Sequence, residues 1–397
     1  MDVNSQSGVS LATALVHGGE RPDSVTGAIA PVLVRSKTYR QPHFGEESIW
    51  KYSRGTNPTR ASLESKLESI EGDGQATTFS SGLGAITTLL LALKPGDHLL
   101  FSREIYGGTY RLLDQVFNSF GLTFGFANFE DKQEVARHIT DSTRYLFVET
   151  PSNPSLHITD LQLAGEISRE TGIPLLVDGT FAPPVTTRAF DYGAETIVYS
   201  LSKYFAGHND VIGGAILTKN EALHTRLKFL QSSAGAILSP DECYRVIQGI
   251  KTLHLRWERV SDSAQKVAEY LQTHPAIKRV LYPGLATHPH HAVAQRQMKN
   301  GFGGVIGFET HCHDQARLHR FIESLEARGT VLYGESLASP ETLLAYPLHM
   351  SHRSLPEADL INLEITKGFF RLSLGFENVE DIIDDFHRGL DVLQACS

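Results

Sequence analysis

The chain is poor in the features that build secreted, membrane-spanning or nucleic-acid-binding proteins. Its 397 residues hold three cysteines, Cys243, Cys312 and Cys396. They are widely spaced and form no CxxC pair, which argues against a disulfide framework and fits a reducing compartment. No basic run offsets the net charge of -9, so nucleic acid is not an expected partner. The longest apolar stretch, Ile86 to Leu93, is too short to span a bilayer and reads as a buried helix, so no membrane partner is expected. Met1 to Ala14 has no basic segment followed by an apolar core, so no export signal is read. These absences lead to the expectation of a soluble cytoplasmic protein.

What is present is a chain long enough for two cores. Residues 1–60 have little periodicity and several turn formers, including Pro31, Pro42 and Pro58, and read as an extended arm. From residue 61 to about 250, helical segments alternate with short apolar strands at Ala76–Phe79, His98–Phe101, Tyr145–Glu149, Leu175–Asp178 and Thr196–Ser200. That alternation predicts an α/β domain with a mostly parallel sheet covered on both faces by helices. Pro240 to Leu271 reads as one long helix leading out of it. Residues 251–397, with strands at Val280–Tyr282, Gly304–Phe308 and Phe370–Leu374, form a smaller α/β domain.

Open parallel sheets bind ligands at the carboxyl ends of their strands. Asp178 ends one strand. Another leads into Ser200-Leu201-Ser202-Lys203, so a lysine stands beside two hydroxyls with an acid at the tip of another strand. Pyridoxal phosphate needs that set: an amine to bind its aldehyde, hydroxyls for its phosphate, and an acid to keep its ring nitrogen protonated. Ser80-Ser81-Gly82-Leu83-Gly84-Ala85 lies between a strand and a helix, where glycine allows close approach and free amides attract phosphate.

Further motifs stand in order along the chain: Tyr52-Ser53-Arg54, Tyr106-Gly107-Gly108-Thr109-Tyr110-Arg111, Glu149-Thr150-Pro151-Ser152-Asn153-Pro154 and Phe370-Arg371-Leu372-Ser373-Leu374-Gly375. With the lysine and glycine motifs, they make the chain from about Ala14 to Leu390 resemble the Cys/Met-metabolism family of pyridoxal-phosphate enzymes, the trans-sulfuration enzymes. The resemblance implies fold type I, like that of aspartate aminotransferase. It implies that Lys203 carries the cofactor and then moves protons, that Asp178 pairs with the ring nitrogen, and that Tyr106 stacks on the ring and assists catalysis. Gly82, Leu83, Ser200 and Ser202 would hold the phosphate, and Asn153 would lie near the ring hydroxyl. Tyr52 and Arg54 would reach the phosphate of a neighbouring subunit, making a homodimer the smallest active unit and a homotetramer the expected assembly. Arg371 would grip the substrate carboxylate, with Ser336 close by.

Two departures from the family pattern are visible. Gly179 follows Asp178 where the family has asparagine, and Ala338-Ser339 follows Glu335-Ser336-Leu337 where the family has two glycines. Glu335 resembles the glutamate of the γ-acting cystathionine enzymes, and Gly108 replaces the cysteine of methionine γ-lyases. Arg111 matches an arginine near the distal end of the substrate. Lys51 stands where an acid is common, which would favour an anionic leaving group. The features resemble cystathionine γ-synthases and γ-lyases, and the expected reaction is γ-replacement on an O-acylhomoserine by cysteine. Cystathionine γ-lyase, β-lyase and homoserine sulfhydrylase activities are the alternatives, with an aminotransferase or a silent scaffold in other classes. His288-Pro289-His290-His291 and His311-Cys312-His313 offer no ordered ligand set, so no metal is expected.

Overall fold

The computed structural model describes residues 9–350 and 365–393. A seven-stranded sheet comprises β1 Gln75–Phe79, β2 His98–Ser102, β3 Thr123–Ala127, β4 Thr143–Glu149, β5 Leu175–Asp178, β6 Thr196–Ser200 and β7 Gly214–Thr218. Their spatial order is β1-β7-β6-β5-β4-β2-β3, and β7 alone runs against its neighbours. The associated helices are α1 Leu11–His17, α2 Pro58–Glu71, α3 Gly82–Leu90, α4 Gly107–Gln115, α5 Lys132–His138, α6 Leu161–Thr171, α7 Glu221–Ala234, α8 Pro240–Lys251 and α9 Leu253–Thr273.

The sheet is apolar on both faces because successive side chains of a strand point to opposite sides. Leu175, Val177, Ile197 and Tyr199 enter one core, while Leu176 and Val198 enter the other with α3. Truncating any such leucine to alanine should cost roughly 2–5 kcal/mol. Burial on both faces fixes the register, and that register sets Glu149 beside Asp178 at the strand ends.

Two strands of this sheet are hidden from pattern reading. β7 opens on glycine because a Cβ at Gly214 would lie 2.2 Å from the Ser81 carbonyl oxygen. β3 is an edge strand interrupted by Gly125, and most of it is only partly buried. The long helix expected over Pro240 to Leu271 is two helices, broken at Thr252. At the break the Gly249 carbonyl accepts from the Thr252 amide at 3.2 Å and from Arg256 Nη2 at 2.7 Å.

The second sheet contains β8 Ile277–Leu281, β9 Val305–Thr310, β10 Val331–Tyr333, β11 Thr342–Ala345 and β12 Phe369–Ser373, in the order β10-β11-β12-β9-β8. It is covered by α11 Gln315–Glu326 and α12 Val379–Asp391, while α10 His291–Gln297 precedes β9. The α9 helix joins the two sheets: Trp257 and Val260 pack in a core of the large sheet, Ala264 to Leu271 in that of the second sheet.

Ahead of α2, the arm is held at its root and loose at its tip. Glu20 bridges buried Lys66 and Lys251, each at 2.6 Å. Asn57 caps α2 through the amides of Thr59 and Arg60, a contribution of about 1 kcal/mol. Farther out, Val25, Ile29, Phe44 and Ile49 are exposed. Among the described residues no helix is long and apolar enough to cross a membrane.

Candidate active site

A cavity of about 660 Å³ opens where the strand ends of the large sheet meet the second sheet. The large-sheet side supplies Gly82, Leu83, Tyr106, Glu149, Asn153, Asp178, Thr180, Ser200, Ser202 and Lys203; the other side supplies Glu335, Ser336 and Arg371. Residues from motifs nearly three hundred positions apart therefore face one space.

Lys203 follows β6 in a tight turn closed by its amide to the Ser200 carbonyl at 3.2 Å. Its Nζ donates to Ser336 Oγ at 3.1 Å. Burial, followed by the Arg371 guanidinium, lowers its pKa from 10.5 to about 8, against the opposing pull of Glu335. A neutral amine is the nucleophilic form, so this environment prepares Lys203 to capture an aldehyde.

Asp178 is nearly inaccessible and accepts from the Thr180 amide at 3.0 Å. Thr180 Oγ1 in turn accepts from the Ser200 amide at 2.9 Å, coupling the acid's turn to the lysine's strand. Glu149, on the adjacent strand, was not singled out in the sequence, although it heads the Glu-Thr-Pro motif. Its carboxylate accepts from Tyr106 N at 2.6 Å and Asn153 N at 3.2 Å, pinning both loops. Burial and then Asp178 push Glu149 well above the usual carboxylate range, and burial raises Asp178 as well.

The Gly179 departure has a local cause. A Cβ there would meet Tyr199 Cε1 at 2.8 Å, so the aromatic ring fills the space beside Asp178. Tyr199 is itself anchored by its hydroxyl, which donates to buried Glu71 at 2.5 Å. Burial raises Glu71 to about 7.

The glycine turn forms the N-terminus of α3. Ser81 Oγ accepts from Gly84 N at 2.9 Å, and the first-turn amides of Gly82 and Leu83 have no intrahelical acceptor. A Cβ at Gly82 would come within 3.0 Å of Ser200 Cβ, so glycine permits this close wall. Ser202 exchanges two hydrogen bonds with the Gly213 backbone, at 3.0 and 3.2 Å, and its hydroxyl must rotate to serve a ligand.

Arg371 lies on β12, buried. Its two Nη atoms donate to Asn153 Oδ1 at 2.8 Å and the Ser336 carbonyl at 2.6 Å, while buried Nε has no partner. A buried guanidinium with an unsatisfied donor is suited to a carboxylate. The turn beside it is strained: Ser336 and Ala338 have φ of 92° and 62°, a region that favours glycine. The second departure thus places alanine in a left-handed conformation, held by its amide's 3.0 Å bond to Ser373 Oγ.

Not every expected residue faces the cavity. Tyr106 lines it and is 38% exposed; burial raises its hydroxyl, and Arg111, in α4, opposes that shift. Arg111 itself is exposed and does not line the cavity. Lys51, Tyr52 and Arg54 sit on the arm, outside the cavity of their own chain. Lys51 pairs with exposed Glu47 at 3.1 Å, and Arg54 donates to the Ser232 carbonyl at 2.8 Å.

The donor set fits pyridoxal phosphate: an amine prepared for an aldehyde, a buried acid, and a helix-end cradle whose glycine cannot carry a Cβ unaided. Together with the α/β architecture, this places the protein among the fold-type I pyridoxal-phosphate enzymes. The family model for the Cys/Met metabolism PLP-dependent enzymes matches residues 12–391, and the chain belongs to that family. It is 37% identical to a cystathionine gamma-lyase of Bacillus subtilis, over 96% of this chain and 98% of the relative. It is 39% identical to a cystathionine beta-lyase of Coxiella burnetii, over 98% of this chain and the whole relative. The crystal structure of cystathionine gamma synthase from Xanthomonas oryzae pv. oryzae in complex with cystathionine superposes with a TM-score of 0.93 at 34% identity, covering 98% of this chain and all of that one.

Proposed function

We propose that the enzyme acts at Cγ of a homoserine-derived amino acid, replacing the acyl-oxygen substituent of an O-acylhomoserine with the sulfur of cysteine. The Cγ–O bond breaks and releases a carboxylate; the Cγ–S bond forms as the thiol gives up its proton. The observation that carries this reading is the position of Glu335 on the cavity wall, beside Ser336 and in the electrostatic field of Lys203, Tyr106 and Arg371. There its carboxylate would face the ammonium group of the incoming cysteine.

Pyridoxal phosphate, when bound, supplies the electron sink that makes the substrate Cα–H acidic. Within this reading Lys203 holds the cofactor and then moves protons at Cα and Cβ, and Tyr106 covers the ring and assists departure at Cγ. Asp178 faces the ring nitrogen. The Gly82 and Leu83 amides with Ser200 and Ser202 receive the phosphate, and Asn153 with Arg371 orients the substrate carboxylate. Tyr52, Arg54 and Lys51 would serve a neighbouring subunit, which accords with their place on an arm whose exposed Val25, Ile29 and Phe44 await a cover. A homodimer is then the smallest complete unit and a tetramer the proposed assembly.

Cystathionine cleavage is the second reading, supported by the lyase names among the relatives. Mass spectrometry of products separates the two. O-succinylhomoserine with cysteine should yield cystathionine. Formation of neither cystathionine nor 2-oxobutyrate, combined with cleavage of added cystathionine, would replace γ-replacement by a lyase reaction.

A further inference from the structure

We propose that Glu130, His157 and His290 form a binding site for a divalent transition metal of the zinc class, outside the cavity described above. The three come from separate elements. Glu130 lies in the turn before α5, His157 in the loop after Asn153-Pro154, and His290 immediately before α10. One ligand atom from each lies within 4.8 Å of the other two. His290 Nε2 is 2.8 Å from Glu130 Oε1, His157 Nε2 is 3.9 Å from the same oxygen, and the two imidazole rings meet edge-on with centroids 4.1 Å apart.

Zinc bonded at about 2.0–2.2 Å in a tetrahedron keeps its ligand atoms about 3.4 Å apart. The cluster needs only a modest adjustment to reach that spacing. Two imidazoles and one carboxylate leave a fourth position for water, and imidazole nitrogen suits zinc better than calcium or magnesium. Ligation by His290 Nε2 moves the ring proton to Nδ1. That move sacrifices the contact from the Ile158 amide, a bond already 3.5 Å long.

The neighbouring histidines are otherwise engaged. His288 Nδ1 accepts the His290 amide at 3.2 Å, and His291 Nδ1 lies 2.8 Å from the Pro283 carbonyl. The cluster is therefore built by the fold, not by the run of histidines in the sequence. His157 also closes the loop that carries Asn153: its carbonyl accepts the Ser152 amide at 2.9 Å, and its own amide donates to Ser152 Oγ at 3.1 Å. Metal bound at His157 would tie this loop to the turn of Glu130, and through Asn153 to Arg371.

The test is calorimetric titration of untagged, chelator-stripped holoenzyme with zinc chloride in a non-coordinating buffer. The expected result is one zinc per chain, with affinity weakened by about tenfold or more in His157→Gln and in Glu130→Gln. Glu130 is exposed, so its variant should fold normally, as matching melting curves of the zinc-free proteins would verify. His313→Gln, on the exposed surface, should bind as the parent does. Absence of saturable uptake, or uptake unchanged in both His157→Gln and Glu130→Gln, would overturn the proposal.

Discussion

The two walls of the cavity are built differently. On one side Asp178, Ser200 and Lys203 stand at the ends of parallel strands whose side chains are buried on both faces. On the other, Glu335 to Ala338 form a turn with two non-glycine residues at positive φ, beside the strand residues Ala345 and Arg371. A strand end inherits the rigidity of the whole sheet. A strained turn is specified locally and can be reshaped by a few substitutions. The sheet wall suits chemistry shared by the family, and the turn suits the choice of substrate.

That contrast can be broken most severely at Lys203. Lys203→Ala should lower turnover by at least about 10³-fold, because in the proposed mechanism one residue both carries the cofactor and transfers protons. It should also abolish the visible absorbance of lysine-bound cofactor. Retained absorbance would mean that another amine holds it. The same residue gives a pH dependence. With its pKa depressed from 10.5 to about 8 by burial and Arg371, roughly a tenth of Lys203 is neutral at pH 7, against about 1 in 3,000 for an ordinary lysine. Capture of added pyridoxal phosphate by apoenzyme should therefore accelerate as pH rises from 6 towards about 8 and level off above it. Stopped-flow absorbance that kept rising to pH 10 would contradict the lowered pKa.

A smaller break is expected at Arg371. Arg371→Lys keeps the charge but loses the planar fork, and should raise KM for the amino acid by about 10–100-fold, the loss of one charge-assisted hydrogen bond. Steady-state kinetics with cofactor absorbance as a folding check would measure it. The smallest effect belongs to the strained turn. Ala338→Gly relieves about 1–2 kcal/mol of left-handed strain but adds unfolded-state entropy, so stability should change by between zero and about +1 kcal/mol. A denaturant melt showing a clear loss would mean that the buried Ala338 methyl matters more than its backbone.

The sheet wall was also the more legible one. Apolar runs ending in Asp178 and Ser200 have strand length, and the glycines around Gly82 mark a strand-to-helix turn, so the lysine, acid and cradle could be placed from residue order. Glu149 was legible only as part of a motif. Its role in pinning Tyr106 and Asn153 depends on strand register, which residue order does not state. The β7 strand was concealed by Gly214, whose missing side chain answers a backbone contact with Ser81. The space that a side chain at position 179 would need is taken by Tyr199, twenty residues on and seated on Glu71. The Glu130, His157 and His290 cluster was invisible because two of its members stand far from the histidine run.

The most direct test of the division between walls is a paired measurement on Glu335→Ala. Cofactor absorbance would be read alongside cystathionine formed from O-succinylhomoserine and cysteine. The sheet wall is untouched, so absorbance should match the parent while cystathionine formation falls by about tenfold or more. Unchanged cystathionine formation would contradict the assignment of substrate choice to the Glu335 turn, and loss of absorbance would contradict the independence of the two walls.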